Sequence, residues 1–322
     1  MLKSLGEKVY LGAVGSYMTV KEQIFDRHKS IQVVPSDPGK VIVITGGSRG
    51  IGFEAAKYFL QHEFNVIMGC RKVEEACSKL KEIDNSEGKY TVFRLDLQNL
   101  DSVRSFAEEV REKTSKIDVL LNNAGIMLGP RFETSDGFES QFQTNYLSHF
   151  LLTSLLLDRI QSRVVNVSSV AHVLANKSMN WDDLQMKELY TPEGAYANSK
   201  AAQIMFTKYL QSKIDESDVY KGKVSVFALH PGVIYSDLYV NMPCGLFFKG
   251  LSKVFMKSQA QGGEALVHAS ISPELDGLGG SYTENSQVIS SSDFVSDVSN
   301  QKILWTKTLE LLKLDKFAEN LD

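Results

Sequence analysis

The stretch from Val41 through Gly52 limits most what this chain can fold into. Val41 to Ile44 is an unbroken apolar run, as expected for a parallel strand buried on both faces. Thr45-Gly46-Gly47-Ser48-Arg49-Gly50-Ile51-Gly52 follows, and Ala55, Ala56, Phe59 and Leu60 then recur at helical spacing. Residues without a Cβ let backbone approach a ligand closely, and a helix start adds unpaired N–H groups and a positive dipole end. A plain tight turn would use the same glycines. The position between a first strand and a helix is what favours phosphate binding. The spacing is Gly-x-x-x-Gly-x-Gly, so the Gly-x-x-Gly-x-x-Gly of extended epimerase-type enzymes is absent.

Downstream the pattern alternates. Residues 66–69, 91–95, 119–121, 164–167 and 224–229 read as strands. Residues 72–83, 100–113, 137–158 and 196–213 read as helices. Strands separated by helices imply right-handed crossovers and an α/β fold, a Rossmann-type doubly wound parallel sheet. One domain is expected over residues 39–322, with residues 286–299, rich in Ser and Asp, as a surface loop. Residues 1–38 form an N-terminal amphipathic segment and linker. There Leu2, Leu5, Val9, Ala13, Tyr17, Val20 and Ile24 recur every three or four residues before Pro35 and Pro38. The uncharged run from Val9 to Val20 is shorter than the roughly 17 to 25 apolar residues a bilayer requires. The segment is therefore a helix docked on the domain or a peripheral membrane foot.

The charge balance is 35 basic against 39 acidic residues, a net −4, which argues against a nucleic-acid partner. Three cysteines, Cys70, Cys77 and Cys244, have no zinc-ligand spacing and cannot build a disulfide framework, so no metal is expected.

The second strand ends in Gly69-Cys70-Arg71-Lys72. An acid there would bond the 2′-hydroxyl of NAD. Arg71, with Arg49 from the turn, instead suits a 2′-phosphate, so NADP(H) is preferred and NAD(H) is the second option. Asp96 can reach an adenine amine, and Asn123-Ala124-Gly125 can line the groove. Tyr196 and Lys200 share one helix face. A tyrosine titrates near pH 10, and a neighbouring ammonium lowers that value toward useful acid–base chemistry. Such a pair alone is common on solvated helices. It gains weight from Ser168-Ser169 at a strand end and from Asn145 in the preceding helix. His172 and His230, single histidines beside strand ends, read as structural.

In order along the chain, the glycine turn, Asp96-Leu97, Asn122-Asn123-Ala124-Gly125, Asn145, Ser169, Tyr196-Ala197-Asn198-Ser199-Lys200 and His230-Pro231-Gly232 resemble the short-chain dehydrogenase/reductase family. The likeness covers residues 40 to about 282. It implies Tyr196 as general acid–base, Ser169 rather than Ser168 as substrate orienter, and Lys200 on the nicotinamide ribose. It also implies Asn145 holding a relay water, and Gly46, Ser48, Arg49, Gly50, Ile51, Gly52, Arg71, Asp96, Leu97, Asn123, Ala124, Gly125, Pro231, Gly232, Val233 and Ser236 around the cofactor. Residues 163–172 and 145–153 resemble the retinol-dehydrogenase-like branch. The implied activity is hydride transfer between NADP(H) and a lipophilic alcohol or carbonyl of polyprenoid, retinoid or sterol type. A cofactor-binding scaffold or sensor without chemistry is the alternative; loss of Tyr196 or Lys200 would favour it, and both are present. Residues 236–258 are rich in large apolar side chains, with Lys249, Lys253 and Lys257 as a basic stripe. They are expected to cover the site as a lid or to touch a membrane interface. The expected setting is the cytosol-facing surface of the endoplasmic reticulum or a lipid droplet, or the cytoplasm, with a homodimer compatible.

Overall fold

The computed structural model describes residues 6, 38–84, 86–234, 256–319 and 321. The amphipathic segment expected before residue 38 therefore lies outside the described residues apart from Gly6 and Pro38. So does the covering segment after Ser236, apart from Met256 to Ser258.

The parallel strands are β1 (Val41–Thr45), β2 (Asn65–Cys70), β3 (Tyr90–Arg94), β4 (Ile117–Asn122), β5 (Ile160–Val167) and β6 (Ser225–His230). The short strands β7 (Tyr282–Glu284) and β8 (Gln287–Ile289) extend the sheet, and β8 runs antiparallel to β7. The order is β3-β2-β1-β4-β5-β6-β7-β8. Between the strands run α1 (Gly50–Gln61), α2 (Val73–Lys81), α3 (Leu100–Lys113), α4 (Ser148–Leu156), α5 (Pro192–Glu216) and α6 (Gln259–Ile271), and α7 (Val298–Leu312) follows β8.

Alternate residues of each strand point to opposite layers. Ile42, Ile44, Val66 and Met68 pack with Ala55, Phe59 and Leu60 of α1 and Leu266 of α6. Val43, Ile67, Leu120 and Val164 pack with α3, α4 and α5. Both faces are thus covered, which is why the strands read as continuous apolar runs.

The helix expected over residues 137–158 is interrupted. Ser140–Phe142 leads into a π-helical turn, Gln143–Leu147, before α4 begins. Residues 286–299 are not a loop. They hold β8, a helical turn at Asp293–Ser296 and the start of α7. Their polar residues are caps: Asp297 accepts from the Ser299 and Asn300 N–H groups at 2.7 and 3.2 Å. Helix α7 and the tail lay Trp305 and Phe317 on Phe150 of α4, with ring centroids 5.1 and 4.8 Å away, covering outer surface of α4 and α5.

Four histidines among the described residues are buried, and burial moves the titration of three of them. Burial lowers His149 and His172 to about 4 each and His230 to about 3. An unfolded chain protonates these rings near pH 6.5, so below that value it binds more protons than the folded chain. Their contribution to stability is complete above pH 6.5 and is lost as pH falls toward 4. Glu139, raised by burial, acts in the opposite sense. Three groups outweigh one, so the melting temperature should drop between pH 7.5 and pH 5. A flat or rising profile in differential scanning calorimetry would contradict this.

Candidate active site

Sheet order reverses between β1 and β4, and ligands of such sheets bind where the order reverses. A groove of about 670 Å³ crosses the carboxyl ends of the strands at this point. The Thr45 hydroxyl at the end of β1 accepts from the N–H groups of Asn123 and Ala124, both at 3.0 Å. The Asn123 amide donates back to the Thr45 carbonyl at 2.8 Å. This brings two strand ends so close that a Cβ on Gly46 would sit 2.8 Å from the Ala124 Cβ, and one on Gly52 2.7 Å from the Gly46 carbonyl oxygen. Gly46 also has φ +69°, which a side chain strains. The residue before α1, Arg49, gives the helix no side-chain cap, and the first turn carries no acid. The helix start is thus free for an anion, as the glycine spacing predicts.

At one end of the groove stand Arg49 and Arg71, both exposed. Neither guanidinium has an ion pair among the described residues. Glu75, absent from the sequence reading, also borders the groove. Lys79 at 2.7 Å and Lys72 at 3.3 Å pair with it and hold its carboxyl below the ordinary range. Lys79 also donates to the Ser48 carbonyl at 3.2 Å, tying α2 to the glycine turn. Asp96 borders the groove beside Leu97, and its Oδ1 accepts from the Gln98 N–H at 3.1 Å.

Tyr196 and Lys200, one turn apart on α5, line the other end, and both are buried. Ser169, which caps a 3-10 turn at Val170–Leu174, stands near enough to the Tyr196 phenol to act against the rise in its pKa. Ser168 turns inward and donates to the Lys200 carbonyl at 2.7 Å. Lys200 Nζ donates to the Val167 carbonyl at 2.8 Å and lies 5.6 Å from the Tyr196 ring centroid. Burial pushes Tyr196 up to about 12 and Lys200 down to about 7. The lowering of the phenol expected from its lysine is not found in this state, because burial disfavours both charged forms.

Asn145 sits in the π-helical turn, buried and off the groove wall. Its Oδ1 accepts from the Ile126 N–H at 2.8 Å. Its Nδ2 donates to the Ile126 carbonyl at 3.0 Å and to Ser199 Oγ at 2.9 Å. The side chain clamps the loop after β4 onto α5. Gly125 lies beside it, where a Cβ would be 3.4 Å from Lys200 Nζ.

His230, Pro231 and Gly232 border the groove. Val233 is buried, and its carbonyl accepts the Lys257 N–H at 2.9 Å. Lys257 is not part of a surface stripe. A parallel bridge to Ile234 draws it in, it is 8% exposed, and its ammonium bonds Asn285. Ser236 lies outside the described residues. Thr144, which no sequence pattern marks, borders the groove with a buried hydroxyl that has no partner among the described residues. Met127 packs with Ala171 and Tyr196 as an apolar patch at the phenol.

Residues 40–182 match the short chain dehydrogenase family. A polyprenol dehydrogenase of Danio rerio is 34% identical over 305 residues, covering 91% of this chain and 92% of the relative. The chain belongs to the short-chain dehydrogenase family. Retinol dehydrogenase 12 of Mus musculus is 36% identical over 281 residues, covering 85% of this chain and 87% of the relative. These likenesses put the chain on the retinol-dehydrogenase-like branch, as an NAD(P)-dependent oxidoreductase. A crystal structure of an uncharacterised protein from Mycobacterium paratuberculosis superposes with a TM-score of 0.72 at 32% identity. It covers 89% of this chain and 98% of its own.

The two adjacent serines of this dehydrogenase separate by environment. Ser169→Ala removes the hydroxyl beside the phenol and should cut turnover about 100-fold with little change in melting temperature. Ser168→Ala removes a buried hydrogen bond and should cost about 1 kcal/mol of stability. Steady-state rates and thermal melts of both variants check the pair, and the reverse pattern would exchange their roles.

Proposed function

We propose that the enzyme moves a hydride between NADP(H) and a lipophilic alcohol or carbonyl of the polyprenoid, retinoid or sterol class. The observation that carries this reading is one groove lined by Tyr196 and Ser169 at one end and, at the other, by the guanidinium groups of Arg49 and Arg71, without an ion pair among the described residues. The names of the polyprenol and retinol dehydrogenase relatives support the substrate class. Met127 and Ala171 beside the phenol offer an apolar surface to such a molecule.

The residues fit a dinucleotide. The glycine turn and the uncapped start of α1 would hold the pyrophosphate, and Arg71 and Arg49 the 2′-phosphate. Asp96 would meet the adenine, Asn123, Ala124 and Gly125 the groove wall, Lys200 the nicotinamide ribose, and Pro231, Gly232, Val233 and Ser236 the nicotinamide. Thr144, on the same groove wall, adds a hydroxyl that has no partner among the described residues. Glu75 does not discourage a phosphate, because two lysines neutralise it. When bound, the cofactor supplies the hydride and, in its oxidised form, a positive charge near the buried phenol.

Ser169 orients the substrate oxygen, and Tyr196 exchanges the proton with it. With its pKa at about 12, Tyr196 is protonated at neutral pH, the form that donates to a carbonyl oxygen. Oxidation of an alcohol requires the phenolate, which a nearby positive charge favours. Lys200 near 7 can hold or release a proton at working pH. Exclusion of water around these groups strengthens every charge interaction among them. Asn145 positions the Gly125–Ile126 loop against α5. The substrate class suits an enzyme working at a cytosol-facing membrane surface, although no helix among the described residues is long and apolar enough to cross one.

Arg71→Asp should weaken NADP(H) binding by about 1–3 kcal/mol and leave NAD(H) binding nearly unchanged. Tyr196→Phe should lower turnover at least about 100-fold with cofactor affinity retained. Equal wild-type affinity for both cofactors in titration calorimetry would overturn the NADP assignment. Wild-type protein that binds cofactor but oxidises no lipid alcohol would favour the scaffold reading.

A further inference from the structure

His149 lies one turn after Asn145, fully buried, and touches neither the groove nor solvent. Its ring connects two parts of the site. On one side, Nε2 is 2.9 Å from the Thr45 hydroxyl. That oxygen already accepts from the Asn123 and Ala124 N–H groups. Its own hydrogen is what remains for the imidazole, so Nε2 accepts. In a neutral ring the proton then sits on Nδ1. On the other side, Nδ1 is 2.9 Å from the Asn145 carbonyl, to which it donates.

Asn145 lies within the π-helical turn. The Gln203 amide nitrogen, three residues beyond Lys200 on α5, also donates to the Asn145 carbonyl and lies 3.2 Å from His149 Nδ1, whose own hydrogen goes to the same carbonyl. Asn145 in turn grips Ile126 with its side-chain amide. A continuous set of bonds thus runs from the glycine turn through Thr45, His149 and Asn145 to the loop beside Lys200 and to α5.

We propose that His149, as the neutral Nδ1–H tautomer, is a positioning residue that couples the cofactor turn to the Tyr196–Lys200 centre. The inference rests on the functional reading above. It concerns rate rather than binding, because His149 meets neither ligand nor the groove wall. A misplacement of about 1 Å far from the chemistry can lower a rate about 100-fold.

The test has a spectroscopic part and a kinetic part. Nitrogen-15 NMR of the ring in cofactor-free protein at pH 7 should show a protonated Nδ1 and a bare Nε2. His149→Leu should bind NADP(H) within about threefold of wild type and lower kcat about 10- to 100-fold with KM for the alcohol little changed. His149→Asn keeps an N–H within reach of the Asn145 carbonyl and should recover part of the loss. Thr45→Val should lower kcat, Thr45→Ser should not, and Thr45→Val combined with His149→Leu should be no slower than the worse single variant. If either Leu or Val prevents folding, the Asn and Ser variants and the NMR signal carry the test. A ring protonated on Nε2, an unchanged kcat in His149→Leu, or losses that multiply in the double variant would overturn the inference. Those results would leave the oxidoreductase reading standing. A wild type inactive on all lipid alcohols would remove that reading instead, whatever the tautomer.

Discussion

The Thr45 hydroxyl is the contact on which the rest of the site depends. It accepts two backbone N–H groups from the end of β4 and gives its own hydrogen to a buried histidine. Two neighbouring strands are thereby pinned at their carboxyl ends, where the sheet order reverses. The glycines follow from that closeness, since a side chain at Gly46 would meet Ala124. The groove exists because the chains leaving β1 and β4 depart in opposite directions above this contact. Its floor is rigid because buried hydrogen bonds in a low-dielectric interior are costly to break.

The same polarity continues across the sheet. Asn122 donates to Asn166, its partner in register, and Asn166 donates to Thr207 of α5. Thus α5, which carries Tyr196 and Lys200, is tied to the strands by side-chain bonds as well as by apolar packing. Burial of that pair has a chemical consequence. Both groups are pushed toward their neutral forms, so any positive charge brought into the groove has a large effect on the phenol.

Much of this was legible in the sequence because it is local. Continuous apolar runs, the glycine turn and the Tyr196–Lys200 spacing each need only a few neighbouring residues to be read. The features that were not legible depend on distant partners. The π-helical turn at Gln143–Leu147 is held partly by Gln203 on another helix. Lys257 looks like one tooth of a surface stripe until the bridge to Ile234 buries it. Strands β7 and β8 are three residues each, too short to show alternation. Helix α7 leaves Val298 67% and Ile303 37% exposed, so its apolar residues do not mark one face. The bonds between the Asn145 amide and the backbone of Ile126 likewise join groups far apart in sequence. Residues 286–299 look like a loop because their Ser and Asp residues are helix caps and turn formers, which share composition with loops.

The central claim is that Tyr196, beside Ser169 on the groove, exchanges a proton while a hydride crosses to or from the nicotinamide. The most direct measurement is a single-turnover reaction with a retinoid or polyprenoid alcohol deuterated at its carbinol carbon, NADP and excess wild-type protein. Mass spectrometry should find the deuterium on the reduced cofactor, with a rate that rises as pH passes from 6 to 9 and phenolate becomes easier to form. Deuterium appearing in solvent rather than on the cofactor, or a rate independent of pH across that range, would contradict the account.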